Sequence, residues 1–409
     1  MNIAVEYISL FLLMIVAIAL SKPLLGHSNN KQLLIVFISV ILLHSIISIG
    51  NGLYGPIYGA DNDALRFHDA ATLYFDVNSN ADLLLPGWVY SIFLAYVYEL
   101  TSYSWAIGGM LSTVFFAGLL VVSVLLYRTL SFDKSDAQIS KGIAESKIII
   151  LVGLIPASIV LTSITLREVY QMFFLGLCVL FTARYFQSKQ IRYLVFMIFA
   201  LLFFSGLHAS FKYYVFSYLM ALFSFQLRKL FINANLKYKI ILLTVMCSAL
   251  LFLDVSIFHA IIYKFVEGTA GAEDSRAYYG LPEIAATLYS IVSFMFVSFL
   301  NYMVRPFPWE MTSIIDTLPF FENMLRLFFI WRIFQLKKFV TAPMAWVLFA
   351  ALLLELLWGM GTLNWGTAQR HHLVAWPLFV VVYYAAVSKF NFSKSIKTQN
   401  KLSYSSVAA

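Results

Sequence analysis

The stretch Trp105–Tyr127, WAIGGMLSTVFFAGLLVVSVLLY, decides the fold class of this chain. It contains no charged residue and is long enough to cross roughly 30 Å of hydrocarbon as an α-helix. Similar apolar runs recur along nearly the whole sequence. With 61% hydrophobic residues, 12% charged residues and a mean hydropathy of +0.83, the 409-residue chain is predicted to be an all-α, polytopic transmembrane protein rather than a soluble one.

We expect eleven membrane spans in a single transmembrane domain over residues 1–390, followed by a disordered cytoplasmic tail at 391–409. The first run carries Glu6 and lacks both a basic start and a small-residue cleavage site, which favours an uncleaved span over a signal peptide. The predicted spans are Ile3–Ser21, Gln32–Ile49, Trp105–Tyr127, Lys147–Thr165, Val169–Phe186, Tyr193–Leu207, Tyr213–Phe225, Tyr238–Phe258, Ile314–Phe334, Thr341–Met360 and His372–Ser388.

The basic residues indicate how these spans are oriented. Of the 28 lysines and arginines, 20 lie in alternate connections, and the positive-inside rule places those connections in the cytoplasm. The N-terminus is then outside and the C-terminus inside. This pattern accounts for the net charge of +8 without a nucleic-acid partner.

Two further apolar stretches, Leu83–Glu99 and Glu283–Met303, could also cross the membrane, but counting either would turn lysine-rich connections outward. We predict interfacial or re-entrant helices there, with two true spans and a weak charge bias as the alternative. The outer loops are then 51–104 and 259–313, and small and charged residues at 267–276 suggest a mobile lid. Cys178 and Cys247 fall in apolar runs, so no disulfide framework, metal or other cofactor is predicted.

Four polar clusters interrupt the apolar runs, and the predicted topology places all of them at the outer face. Charged side chains are costly beside hydrocarbon, so such clusters are functional candidates. They are DNDALRFHD at 61–69, LRE at 166–168, RPFPWE at 305–310 and RHH at 370–372.

The first cluster predicts the start of an interfacial helix capped by Asp61 or Asn62, with Leu65 and Phe67 among the residues of an apolar side that contacts the membrane. A carboxylate here, Asp63 or Asp61, could deprotonate a hydroxyl acceptor. The neighbouring side chains Arg66 and His68 are candidate substrate contacts. Ordinary capping in an exposed loop is the alternative.

Three arginines, Arg167, Arg305 and Arg370, come from separate parts of the chain to the same predicted face. A guanidinium is permanently charged and binds phosphate through a planar fork, so converging arginines suit a pyrophosphate-linked lipid. The alternatives are a local Arg167–Glu168 ion pair, a structural corner at 305–310, and snorkelling of Arg370 to the headgroups.

Other titratable residues near these clusters complete the candidate site. Glu168 is a further catalytic candidate, and His208, Glu310 and His371 are further candidate substrate contacts. For His208, ligand contact and a satisfied interfacial histidine are equally favoured. Glu322 and Arg326 are four residues apart on one predicted span, which favours an internal ion pair.

The element Asp63-Ala64-Leu65-Arg66-Phe67 in an outer loop, followed by 85–90 and 96–100, resembles the start of the GT-C membrane glycosyltransferases. The resemblance covers about the first 130 residues. It implies a GT-C-like fold, an essential aspartate in this loop and a lipid-linked sugar donor. Ala64 stands where many members have a second acid, and an extra span precedes the loop.

Later segments, at 156–168, 305–310 and 366–371, are similar to bacterial O-antigen-type repeat-unit polymerases. This resemblance implies polymerisation of undecaprenyl-pyrophosphate-linked oligosaccharide repeat units of a surface polysaccharide, at the periplasmic face of the inner membrane. The implied partners are the lipid-linked oligosaccharide, the lipid bilayer and a chain-length regulator. Two alternatives remain: a single-sugar transferase with a polyprenyl-phosphate-linked donor, and a lipid-linked oligosaccharide flippase or transporter.

Overall fold

A computed structural model describes residues 3–25, 31–55, 61–75, 88–131, 138–208, 210–233, 277–278, 287–362 and 364–407. The predicted span Tyr238–Phe258 and the predicted lid residues 267–276 lie outside these ranges. Within them the chain is helical, with no β-strand and one isolated bridge between Tyr278 and Asn364. The predicted all-α class is confirmed.

The helices are numbered in chain order. They are α1 (Ile3–Ala19), α2 (Lys22–Leu25), α3 (Lys31–Tyr54), α4 (Asp61–Thr72), α5 (Trp88–Leu100), α6 (Trp105–Ser131), α7 (Gln138–Gly153), α8 (Pro156–Leu161), α9 (Glu168–Ser188), α10 (Ile191–Gly206), α11 (Phe211–Asn233), α12 (Leu288–Val304), α13 (Thr317–Gln335), α14 (Ala342–Gly361) and α15 (Trp365–Val407).

Six helical stretches in the described part of the chain are long and apolar enough to span a membrane, and each overlaps a predicted span. They are Ile3–Leu24, Lys31–Tyr54, Trp105–Ser131, Glu168–Ser188, Ala342–Gly361 and Trp365–Lys394. Helices α5, α10 and α12 are apolar but shorter. Because α5 and α12 fall on the two stretches predicted to be interfacial or re-entrant, the count of eleven spans stays a prediction.

The chain divides into two compact units: the first comprises Met1–His208, Phe321–Leu352 and Arg370–Ala409, and the second comprises Ala209–Phe320 and Leu353–Gln369. In the first unit, α6 packs against α1, α3, α7 and α9, and most of its residues are buried. Glycine permits this close approach, because a Cβ at Gly109 would lie 2.7 Å from the Ser163 carbonyl oxygen.

The second unit contains α11, α12 and the C-terminal part of α14. Phe211 of α11 meets the Trp358 ring edge to face at 5.3 Å. The indole of Trp365, at the start of α15, donates to Asp316 Oδ1 at 3.3 Å. These contacts lie within the unit itself.

The predicted span Lys147–Thr165 is not one helix. Helix α7 ends at Gly153, Ile155 is extended, and Pro156 opens the short helix α8. Proline disfavours helical backbone at the residue before it and cannot donate to the preceding turn, so the run breaks here.

Backbone groups freed by this break are satisfied by side chains from distant helices, as a buried helix break requires. Glu322, predicted to pair with Arg326, accepts one of these backbone N–H groups, and its pair with Arg326 stays a prediction. The three bonds are His44 Nε2 to the Gly153 carbonyl oxygen (2.9 Å), Trp376 Nε1 to the Leu151 carbonyl oxygen (2.8 Å) and Ala157 N to Glu322 Oε1 (2.8 Å).

The C-terminal helix is longer than predicted. Helix α15 continues to Val407, through the segment after Asn391 that was expected to be disordered. The expectation of a disordered tail is therefore wrong.

Candidate functional site

Helix α4 begins at Asp61, as predicted, and positions the first polar cluster. Its buried stripe is Ala64, Phe67 and Ala71, at helical spacing. Leu65, predicted on the side that contacts the membrane, is 39% exposed, so its membrane contact stays a prediction, whereas Phe67, predicted on the same side, is buried inside the protein. The side chain of Asp61 lies outside the described residues.

His68 attaches α4 to its neighbours. Its Nδ1 lies 2.8 Å from the Tyr98 hydroxyl of α5, and its ring stacks on Trp105, the first residue of α6, at 4.2 Å. Burial lowers the pKa of His68, while the charge of Asp69 opposes that shift. The imidazole is thus neutral at pH 7 and is used in packing. These contacts with Tyr98 and Trp105 give no support to the predicted role of His68 in binding substrate.

Arg167 ends a buried non-helical segment, 162–166, that packs beside the N-terminal end of α6. Its guanidinium lies over the Phe67 ring at 5.2 Å from the centroid, a cation–π distance. Glu168, the first residue of α9, is 3% exposed and interacts electrostatically with Arg167 and Arg370. Its Oε2 makes no hydrogen bond to any part of the chain that the structure describes.

Arg370 lies in the second turn of α15 and donates through Nη1 to Asp63 Oδ2. Its side chain is 15% exposed, compared with 37% for Asp63. A snorkelling arginine would extend its head into water, whereas this head is inside the protein and paired. The pairing with Asp63 argues against the snorkelling alternative for Arg370.

Two histidines lie beside the arginines. His371 is buried and within electrostatic range of Arg370, Arg167 and His208. Burial, and then the charge of Arg167, hold the pKa of His208 well below its ordinary value. His208 is therefore neutral at pH 7 and able to donate one hydrogen bond and accept another.

Opposing effects act on the Asp63 carboxyl. Burial raises its pKa, but the charges of Arg370, Arg167 and Arg66 and the hydrogen bond from Arg370 outweigh burial, so the pKa lies below its ordinary value. Asp63 is therefore ionised at neutral pH. Arg66 itself is exposed at the edge of this cluster.

Arg305 and Glu310 belong to the second unit, where they form an ion pair at 3.2 Å. Glu310 Oε2 also accepts from the Phe307 N–H at 2.8 Å, and the Arg305 guanidinium lies 6.0 Å from the Phe307 ring centroid. These short-range contacts close a tight turn. They favour the structural-corner alternative for 305–310.

An aromatic layer beneath Arg167 was not predicted as part of the site. Phe67 meets Tyr90 edge to face at 5.1 Å, and Tyr90 lies 4.8 Å from Tyr170. The signal available in the sequence was Phe67 itself, which we interpreted as a membrane contact. A single sequence does not show that α5 and α9 would pack beside it.

The first unit thus brings together side chains from four separate segments: Asp63, Arg167 with Glu168, His208, and Arg370 with His371. Among the described residues no three His, Cys, Asp or Glu side chains form a metal-binding group. Two partly buried guanidinium groups beside histidines can bind an oxyanion through charge-assisted hydrogen bonds. No family model, no curated protein and no solved structure matches this chain.

Proposed function

We propose that this protein is a membrane glycosyltransferase whose sugar donor is linked to a lipid through phosphate. The observation that supports this most is the meeting of Arg370 and Arg167 with Asp63 at one end of a bundle of apolar helices. Arginine is the side chain best suited to hold a phosphate through two parallel hydrogen bonds. A phosphate-linked lipid would place its head at this end and its tail along the helices.

In this mechanism, Arg370 and Arg167 hold the donor phosphate and stabilise the charge that develops as the glycosidic bond to it breaks. Asp63 accepts the proton of the acceptor hydroxyl. His208, neutral at pH 7, donates or accepts hydrogen bonds to the sugar. Arg305 is left out of this mechanism, because it forms an ion pair with Glu310 and lies over the Phe307 ring in the corner at 305–310.

The finer proposal is a polymerase of undecaprenyl-pyrophosphate-linked repeat units of a bacterial surface polysaccharide, active at the outer face of the inner membrane. The resemblance at 156–168 and 366–371 supports it, and so does the pairing of those two segments with the Asp63 cluster. A transporter usually places its charges and broken helices near the membrane midplane, on paired repeats. Here the charges meet near the start of α6, and the sequence shows no repeat.

The direct test is transfer by purified protein from a polyprenyl-pyrophosphate-linked repeat unit, with products resolved on gels. A ladder of repeats that is absent with Asp63→Asn supports the polymerase. Addition of one sugar from a monophosphate-linked donor identifies the single-sugar transferase. Movement of intact donor across vesicles without bond cleavage identifies a flippase and rejects the enzyme.

A further inference from the structure

The charges of Arg370 and Arg167 are already opposed by carboxylates. Asp63 and Glu168 both lie within electrostatic range of these two guanidinium groups, and the exposed Arg66 adds a third positive charge at the edge of the cluster. Bringing a further anion beside two carboxylates in a partly buried site is costly. A phosphate group binds at lower cost if one carboxylate gives up its arginine.

The two carboxylates differ in how easily they can do so. Glu168 is 3% exposed and fixed at the first position of α9. The Asp63 side chain is 37% exposed, while that of Arg370 behind it is 15% exposed. Asp63 thus faces the open side of the ion pair. It is the group that an arriving ligand meets first, and water can solvate it after displacement.

We propose that a phosphate-bearing ligand binds by partner exchange, in which phosphate oxygens take the position of the Asp63 carboxylate on Arg370 and release Asp63. This rests on the proposed function, in which the ligand is the lipid-linked donor. Carboxylate and phosphate offer the guanidinium the same paired oxygen atoms, and phosphate carries more charge. The Asp63–Arg370 pair is then the resting state of the site.

Exchange would also couple donor binding to the readiness of the base. While paired, Asp63 is a weak base because Arg370 holds its pKa low. After release the favourable charge is lost and an anion lies nearby, and both changes raise the pKa of a carboxyl group. The base would become effective only when a donor is present, which protects an unoccupied site from activating water.

The test is calorimetric titration of the full-length protein in detergent with inorganic pyrophosphate. Asp63→Asn keeps the shape of the side chain and removes the competing charge, so it should bind pyrophosphate about tenfold more tightly than wild type. Arg370→Gln should lose binding. A matched control is Glu145→Gln, because Glu145 pairs with Arg128 through two hydrogen bonds at the other end of α6 and should leave the affinity unchanged.

An equal or weaker affinity in Asp63→Asn, or no pyrophosphate binding by either protein, would overturn the exchange. So would an equal gain in Glu145→Gln, which would mean that any freed arginine suffices. A second measurement needs only wild-type protein: pyrophosphate should increase carbodiimide labelling of Asp63, detected by mass spectrometry. Protection of Asp63 would contradict the proposal.

The two proposals can fail separately. Tighter pyrophosphate binding by Asp63→Asn, without any sugar transfer by wild type, would keep the exchange and reject the glycosyltransferase. Sugar transfer by wild type, without tighter pyrophosphate binding by Asp63→Asn, would keep the glycosyltransferase and reject the exchange.

Discussion

Asp63 and Arg370 are 307 residues apart in the chain, yet their side chains form an ion pair in the first unit. The pair joins α4 to the second turn of α15. It turns two polar clusters that seem unrelated in the sequence into one site, and it fixes the guanidinium inside the protein.

The first prediction separates the guanidinium fork from its charge. Arg370→Lys keeps the charge but cannot form two parallel hydrogen bonds, so we expect transfer activity to fall by at least about tenfold. The measurement is product length on gels with the lipid-linked repeat. Arg332→Lys, at an exposed arginine bonded to Gln335, is the matched control and should retain its activity. Normal chain length in Arg370→Lys would reject a phosphate site built on this fork.

The second prediction concerns pH. Because the folded-state pKa of Asp63 is lowered, the pair contributes stability above the unfolded-state pKa of about 3.9 and loses it as pH falls through the lower folded-state value. Wild type should therefore exceed Asp63→Asn in thermal stability by a constant margin from pH 7 to about 5, and the margin should shrink below about pH 4. A margin that grows on acidification would contradict the ionised pair.

The third prediction tests the corner at 305–310. Glu310→Gln should lower stability by about 1 kcal/mol, because Phe307 N–H and Arg305 both lose a charged acceptor. Thermal unfolding in detergent measures it. We expect Arg305→Lys to retain most of the transfer activity, since its ion pair with Glu310 lies within the turn and a lysine can keep it. A loss as large as that of Arg370→Lys would return Arg305 to the donor site.

The fourth prediction addresses the break after α7. His44→Ala removes the donor to the Gly153 carbonyl oxygen and should cost about 1–3 kcal/mol, the range for a buried polar group left unsatisfied. Ser45→Ala removes only a bond to Ile41 of its own helix and should cost less. Equal losses in unfolding experiments would show that His44 does not stabilise the break.

The fifth prediction concerns orientation, which rests on the 20 basic residues in alternate connections. Reporter fusions after Lys141 and Lys338 should report cytoplasm, and fusions near Gly271 and Gly366 should report the outside. A cytoplasmic signal at Gly271 would make one of the two shorter apolar stretches a true span and would reverse the proposed active face.

The helices and the site differed in how far the sequence could predict them. The length and apolarity of a run are local properties, so spans such as Trp105–Tyr127 were predicted within a few residues of α6. The break before Pro156 was missed, because proline kinks some helices and ends others. The side chain that satisfies the freed Gly153 carbonyl oxygen, His44, lies 109 residues away in the chain and could not be identified from the local sequence.

The site was predicted only as a shared face. Charge rules placed Asp63, Arg167 and Arg370 on one side, and in the first unit they do lie together. Which of these side chains pair depends on which helices pack together and on how deeply each side chain is buried. Neither can be read from the local spacing of residues in the sequence. For the same reason Arg305, equal to the others by type, could not be distinguished from them before its contacts with Glu310 were known.

Helix α6 connects two layers of charge. At its start, the Trp105 ring stacks on His68, which belongs to the Asp63 cluster. Near its end, Arg128 donates hydrogen bonds to Glu145 and to the Leu24 carbonyl oxygen. At 1.5 Å per residue these layers are roughly 35 Å apart, close to the thickness of a bilayer. Both layers are attached to one buried helix, so we expect the first unit to fit bilayers of a limited range of thickness. In bilayers of shorter or longer acyl chains, one of the two charged layers should no longer lie at the membrane surface. The activity of the site should therefore depend more on acyl-chain length than on headgroup type.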